Sequence, residues 1–379
     1  MYKIIITIVV LVFNFPIHAQ TLQLSGQCPP SFEINNENEC HLISLYQQYD
    51  SLQDGGVGGL KTALPENRDG FSPQQIDLGR YLFFDPFLSV DNSISCASCH
   101  QPDKGFADGM AVSTGVFGKQ GTRSAPGLWN VGFLKRLFWD ARAESLEVQV
   151  EGPLYHEAEM GLTRVELFNK MNNSSGYRPL FKQAFDLADD QPISLDNIYT
   201  AIIAFETSLV SLNSRYDWYA HGYADALNQQ ELEGLNLFRS FVARCAECHT
   251  PPLFTNQQYA VIGVPESDGL AFDIGAQSHL DLPDLRAGFR VPSIRNIELT
   301  APYMHNGKFK TLRETVSFYT QGRGHAVPEN EDLKLHWHIW EPNLTEVEID
   351  RLVDFLLTLT DESLKPIKPI ELPSGLTVQ

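Results

Sequence analysis

Cys96-Ala97-Ser98-Cys99-His100 and its return as Cys245-Ala246-Glu247-Cys248-His249 constrain this chain of 379 residues more than any other feature. Two thiols two residues apart, with histidine directly after them, form the pattern of covalent c-type haem attachment. The thiols add across the two vinyl groups, and the adjacent imidazole reaches the iron from one face. One such pentapeptide is a fair signal; two, each following a helical pattern, point to two haems.

The N-terminus supports that chemistry. A Lys3-bearing start, an apolar run from Ile4 to Phe15 and a small-residue exit at Ala19 describe a secretory leader over residues 1–19. The run is too short for a membrane span, and no later stretch reaches ~18 apolar residues. Export to the periplasm or the cell surface is therefore expected, where c-type attachment occurs in bacteria. Four of the six cysteines are used by the two motifs, leaving Cys28 and Cys40. In an oxidising compartment these two are expected to form a disulfide. The formal charge of −19 excludes a nucleic-acid partner, whose phosphates need a basic face.

Along the chain, residues 20–60 read as an extension ending in the linker Gly55-Gly56-Val57-Gly58-Gly59. Ser72-Pro73-Gln74-Gln75 is a capping box that starts a helix leading to the first motif. Thr163 with Glu166 and Thr345 with Glu348 start two more. Apolar spacing predicts helices over 195–212 and from Glu231 through Phe241 and Val242 to Cys245. The expected fold is mainly α: two cytochrome c-like haem domains, 61–213 and 214–362, with long loops, few strands and a tail at 363–379.

A haem iron with one axial histidine is either six-coordinate for electron transfer or open on one face for peroxide. The first motif has only Met110 nearby, so its haem lacks an evident sixth ligand, which suits catalysis. The second has Met304, His305, Tyr319 and His325 behind it.

Several segments resemble the bacterial di-haem cytochrome c peroxidase and MauG family. They are Gly79 to Leu88, Phe138 to Ala143, Gln149, Gly152-Pro153, Glu159-Met160, Ala204 to Thr207 and Arg295 to Gly307. The resemblance runs over about residues 70–362, in the family order. It implies that His100 is the proximal ligand of the peroxidatic haem and His249 that of the electron-transfer haem. It implies that Gln149 and Glu159 stand in the distal pocket, that Pro153 shapes it, and that Glu159 moves a proton between the peroxide oxygens. Trp139, by itself a core aromatic, becomes an electron relay between the haems. The resemblance also implies a calcium ion on the carbonyls of Thr300 and Pro302, with Ser124 standing where the family usually has Asn.

The departures matter. The histidine that often must leave the peroxidatic iron aligns near Val116 here. The position nineteen residues after Thr300, methionine in the peroxidases, is Tyr319 here, as in MauG. Tyr319 is the expected iron ligand, with Met304 as its alternative. The resemblance therefore implies peroxide reduction with electrons from a small cytochrome c or cupredoxin. It equally admits oxidation of a tryptophan in a partner protein. A non-catalytic di-haem carrier is the reading from another class. The Leu335-His336-Trp337-His338-Ile339-Trp340 cluster is expected to pack against the domain.

Overall fold

The computed structural model describes residues 22–44, 46, 64–321, 327, 331–363 and 368–378. The leader, the Gly55–Gly59 linker and His325 lie outside the described residues. Helices follow in the order α1 (Pro73–Phe84), α2 (Cys96–Cys99), α3 (Leu146–Tyr155), α4 (Arg164–Asn173), α5 (Tyr177–Phe185) and α6 (Leu195–Thr207). They continue as α7 (Arg215–Ala220), α8 (Gln229–Phe238), α9 (Cys245–Cys248), α10 (Gln277–Leu280), α11 (Leu312–Thr320) and α12 (Glu346–Leu357). Two antiparallel pairs complete the order, β1 (Phe32–Ile34) with β2 (Cys40–Leu42) and β3 (Tyr259–Val261) with β4 (Gly288–Arg290). The fold is mainly α with few strands. No helix among the described residues is long and apolar enough to cross a membrane.

Two cores organise these elements. The first is built on α1 and α6, with Leu78, Leu82, Phe83, Ala201 and Ile202 at their contact. The second is built on α8 and α12, with Leu235, Phe238, Leu352 and Phe355. Each large apolar side chain fully removed from water stabilises by roughly 1.5–3 kcal/mol. Both crossings depend on a glycine. A Cβ on Gly79 would sit 1.8 Å from the Ala201 carbonyl oxygen, and one on Gly234 would sit 1.9 Å from that of Arg351. Helices in such close contact cannot accept a side chain there.

Local signals act as read at α1, α4 and α12, where Ser72–Gln75, Thr163–Glu166 and Thr345–Glu348 all form capping boxes. Two helices stop short of expectation. α6 ends at Thr207, its C-cap Ser208 returning its hydroxyl to the Phe205 carbonyl. α8 ends at Phe238, where the Ser240 hydroxyl takes the Leu237 carbonyl and then accepts from the amides of Val242 and Ala243. Phe241 and Val242 are therefore exposed rather than on a buried helical face. Serine competing for backbone groups outweighs the apolar periodicity here.

Described segments near both ends of the chain pack on the first half, with Leu24 and Leu372 in its core. Cys28 and Cys40 form a disulfide, and buried Cys40 packs with Ile76 and Ala204. The tail returns as well: Leu372 joins the first core, and the Ser374 hydroxyl donates to Asp85 at 2.8 Å.

Candidate functional site

Each Cys-x-x-Cys-His folds as one helical turn with its histidine at the C-cap. His100 donates from Nδ1 to the Phe106 carbonyl at 2.8 Å. His249 Nδ1 lies 3.2 Å from both the Phe254 and Pro292 carbonyls. A carbonyl at Nδ1 fixes the tautomer and leaves Nε2 as the free donor, which is what an axial iron ligand requires. Burial lowers the pKa of both rings, favouring the neutral ligating form. Burial also holds the thiols protonated, Cys99 at about 11 and Cys245 at about 12. The donor set thus fits thioether attachment with one imidazole per iron.

What lies beyond each motif differs. On the first side, α3 carries Gln149 and Pro153 four residues apart, on one face. Its C-cap His156 leads into the turn holding Glu159. The Val116 amide donates to the Glu159 carbonyl at 2.9 Å, so the loop after the first motif is tied to that turn. Gly115 makes the approach feasible, since a Cβ there would meet the Ala158 carbonyl oxygen at 2.1 Å. The Glu159 carboxylate lies 3.7 Å from the His156 ring nitrogen Nδ1. The pKa of Glu159 is raised by burial, against the pull of His156 and Arg142. Glu206, on α6, is buried beside Cys96, and burial lifts its pKa to about 8. Met110 is exposed.

On the second side is a cavity of about 280 Å³ lined by Cys245, Cys248, His249, Tyr319 and Met304 among others. The Tyr319 hydroxyl is held well above its usual pKa, by burial first and then by the neighbouring sulfurs of Cys248 and Cys245. Met304 also faces this cavity, from a backbone with φ of 73°. Both ligand candidates are thus brought to the second motif.

Trp139 belongs to the seam between the halves. Its indole donates to the Ser124 carbonyl at 2.9 Å, and its own carbonyl accepts from the Arg290 amide at 2.8 Å. The Ser124 hydroxyl donates to the Met304 carbonyl at 3.0 Å, and Thr300 and Pro302 line the same cavity. Arg123 braces the seam with Asp140 at 2.7 Å and Asp273 at 2.6 Å. The aromatic cluster is less enclosed than expected. Trp337 is 60% exposed under the Arg244 guanidinium, while Trp340, 40% exposed, lines the cavity. The cavity mouth, rather than an interior, receives this segment.

Sequence reasoning quoted Glu206 inside a motif but gave it no role, and passed over Arg290. The available signals were a carboxylate on the apolar face of α6 and a cation between Phe289 and Val291.

Residues 73–225 match the family described as di-haem cytochrome c peroxidase. The chain is 35% identical over 320 residues to a cytochrome c551 peroxidase of Nitrosomonas europaea, covering 83% of this chain and 87% of the relative. It is 32% identical over 291 residues to the methylamine utilization protein MauG of Methylorubrum extorquens, covering 77% and 79%. Among solved structures, it resembles a MauG-like protein associated with microbial copper homeostasis, with a TM-score of 0.72 and 33% identity. That match covers 79% of this chain and 94% of the other.

Proposed function

Because the chain belongs to the di-haem cytochrome c peroxidase family of haem enzymes, we propose that its two motifs divide one oxidative reaction between them. Hydrogen peroxide is reduced at the Cys96/Cys99/His100 side, and a protein partner supplies electrons through the Cys245/Cys248/His249 side. The observation that carries this reading is the contrast beyond the motifs: the Glu159 turn tied to the loop after the first motif, and Tyr319 on the wall of the cavity that holds Cys245 and Cys248. A haem held by Cys96, Cys99 and His100 would supply the iron that binds peroxide and the electrons for O–O cleavage.

The protein's own part follows from its side chains. Glu159, its pKa raised by burial, is suited to take a proton from one peroxide oxygen and return it to the other. Gln149 orients the peroxide by hydrogen bonding, and Pro153, four residues along α3, shapes the pocket wall. Trp139, hydrogen-bonded on both sides of the seam, passes electrons between the halves. Tyr319 offers a phenolic oxygen to the second iron, a harder donor than the thioether of Met304 and one that favours higher-valent iron. The Thr300 and Pro302 carbonyls would hold a calcium ion at the seam, where Ser124 would offer a hydroxyl oxygen in place of an amide. The Cys28–Cys40 disulfide supports export to an oxidising compartment.

Tyr319 favours a second reading in which the partner is a protein whose tryptophan is oxidised, rather than a small cytochrome c or cupredoxin donor. Low-temperature EPR of the resting and half-reduced protein is the first test. A high-spin ferric signal beside a low-spin one is expected. Two low-spin haems in both states would leave only the electron-carrier reading. Replacing Tyr319 by Phe is expected to change the low-spin spectrum; an unchanged spectrum assigns the ligand to Met304. Peroxide turnover with reduced cytochrome c then separates donor oxidation from protein modification.

A further inference from the structure

Among the described residues of the second half two arginines are buried, and they are treated oppositely. Arg295, 4% exposed, has its charge answered: Nη1 and Nη2 reach the two carboxylate oxygens of Asp217 at 2.8 and 2.7 Å, and Nε donates to the Pro252 carbonyl. Arg290, 7% exposed at the end of β4, has no carboxylate partner among the described residues. Its Nε and Nη1 are covered and without a hydrogen-bond acceptor. The hydroxyl of Tyr259, its pairing partner across β3 and β4, is also covered and unpartnered.

A guanidinium cannot shed its proton under ordinary conditions, and an unpaired buried charge costs several kcal/mol. A fold that places one on the wall of a cavity therefore implies an anion in that cavity. Burial lowers the Arg290 pKa to about 10, the direction expected for a buried cation with no carboxylate beside it among the described residues. Arg290 lines the cavity that also holds Cys245, Cys248 and His249. A haem fixed there by two thioethers would bring two carboxylates of its own, and a carboxylate is the class of anion that a guanidinium on this wall would take.

We propose that Arg290 anchors a propionate of the haem attached at Cys245 and Cys248. The end-on pair of the guanidinium, Nη1 with Nη2, presents two N–H groups that match the oxygens of a carboxylate. The Arg290 amide donates to the Trp139 carbonyl at 2.8 Å, so the same residue joins the haem edge to the seam. It thereby sets the charge balance at the point where electrons cross.

The inference rests on the second motif carrying haem, and that premise is checked separately by a pyridine haemochrome count of two haems in the full-length protein. Arg290→Met is then compared with wild type by redox titration between about pH 5 and 8. Without the guanidinium, the buried propionate takes up a proton within this range. The low-spin haem is expected to fall in midpoint potential at the alkaline end and to gain a pH slope that wild type lacks. An unchanged potential and slope, with both haems present, would overturn the proposal. Should Arg290→Met fail to retain two haems, Arg290→Lys decides by resonance Raman. A one-point ammonium in place of the fork shifts the propionate bending band, and an unshifted band would sink the idea. A wild-type potential that moves with chloride concentration, and stops moving in Arg290→Met, would assign the site to a free anion instead.

Discussion

The two halves share one attachment frame and differ in what stands across from it. In each, a glycine lets the helix before the motif press onto a later helix: Gly79 against Ala201, Gly234 against Arg351. In each, a fully buried phenylalanine with positive φ offers its carbonyl to the ligand histidine, Phe106 in one and Phe254 in the other. The surrounding rings repeat as well. Phe83 lies 6.0 Å from Phe106 and 5.0 Å from Phe205; Phe238 lies 6.0 Å from Phe254 and 5.0 Å from Phe355. Beyond this frame the likeness stops. The first half adds α3 and the Glu159 turn, while the second adds the Met304 turn and α11. Attachment is therefore a property of the repeated frame, and reactivity a property of the segments laid over it.

Removing the acid from one side is the strongest way to sharpen this contrast. Glu159→Gln is expected to lower peroxide turnover by about 10²- to 10⁴-fold, the usual worth of a positioned proton-transfer group. The spectra of both haems should stay as they are, because Glu159 sits outside the attachment frame. A loss below about tenfold would mean that the proton travels by another group.

A second difference lies inside the frame. By their distance from the paired glycines, Glu206 on α6 corresponds to Leu356 on α12. Burial raises the Glu206 pKa from 4.5 to about 8, so folding favours its protonated form. The folded state then binds more protons than the unfolded state between these values. The stability this group permits is full below about pH 4.5 and declines as pH rises towards 8. The decline is on the order of 4 kcal/mol. Glu206→Gln should flatten that part of the denaturation profile of the holoprotein. An unaltered slope would show that Glu206 is solvated or ion-paired once haem is attached.

How much of this was legible follows from where each signal resides. The attachment turns, the capping boxes and the mainly α fold come from short-range chemistry, so Cys96–His100 or Thr345–Glu348 declare themselves. Phe241 and Val242 misled because apolar periodicity does not register a serine at 240 redirecting the backbone. The docking of the tail on the first core spans almost 200 residues, from Gly176 to Pro373, whose carbonyl oxygen would lie 1.8 Å from a Cβ on that glycine, and it leaves no local trace. Arg290 was missed for a related reason. Its meaning lies in lacking a carboxylate, and an absence in space has no pattern in the chain.

The glycine pair supplies a smaller, symmetrical test. Gly79→Ala and Gly234→Ala each place a methyl group within 2 Å of a helix carbonyl oxygen, at 1.8 and 1.9 Å. Separating the helices should cost about 2 kcal/mol in either case, read by chemical denaturation. Equal losses support a common frame. A much smaller loss in one half would show that its helix pair is free to slide apart, and that the likeness ends before the aromatic shell.

The smallest effects test whether the frame is held equally at its ends. α6 starts from Ser194 with Asn197 at the third position, and α12 from Thr345 with Glu348. Ser194→Ala and Thr345→Ala should each cost about 1 kcal/mol. They should part company in acid. The Glu348 carboxylate accepts from the Thr345 amide and hydroxyl, and these bonds hold its pKa below the usual range. Its contribution is present above about pH 4.5 and lost as pH falls, whereas the amide of Asn197 does not titrate. Denaturation at acid and neutral pH should therefore find Glu348→Ala costly only at the higher pH and Asn197→Ala alike at both. A pH-independent Glu348→Ala would mean that the carboxylate acts there only as packing.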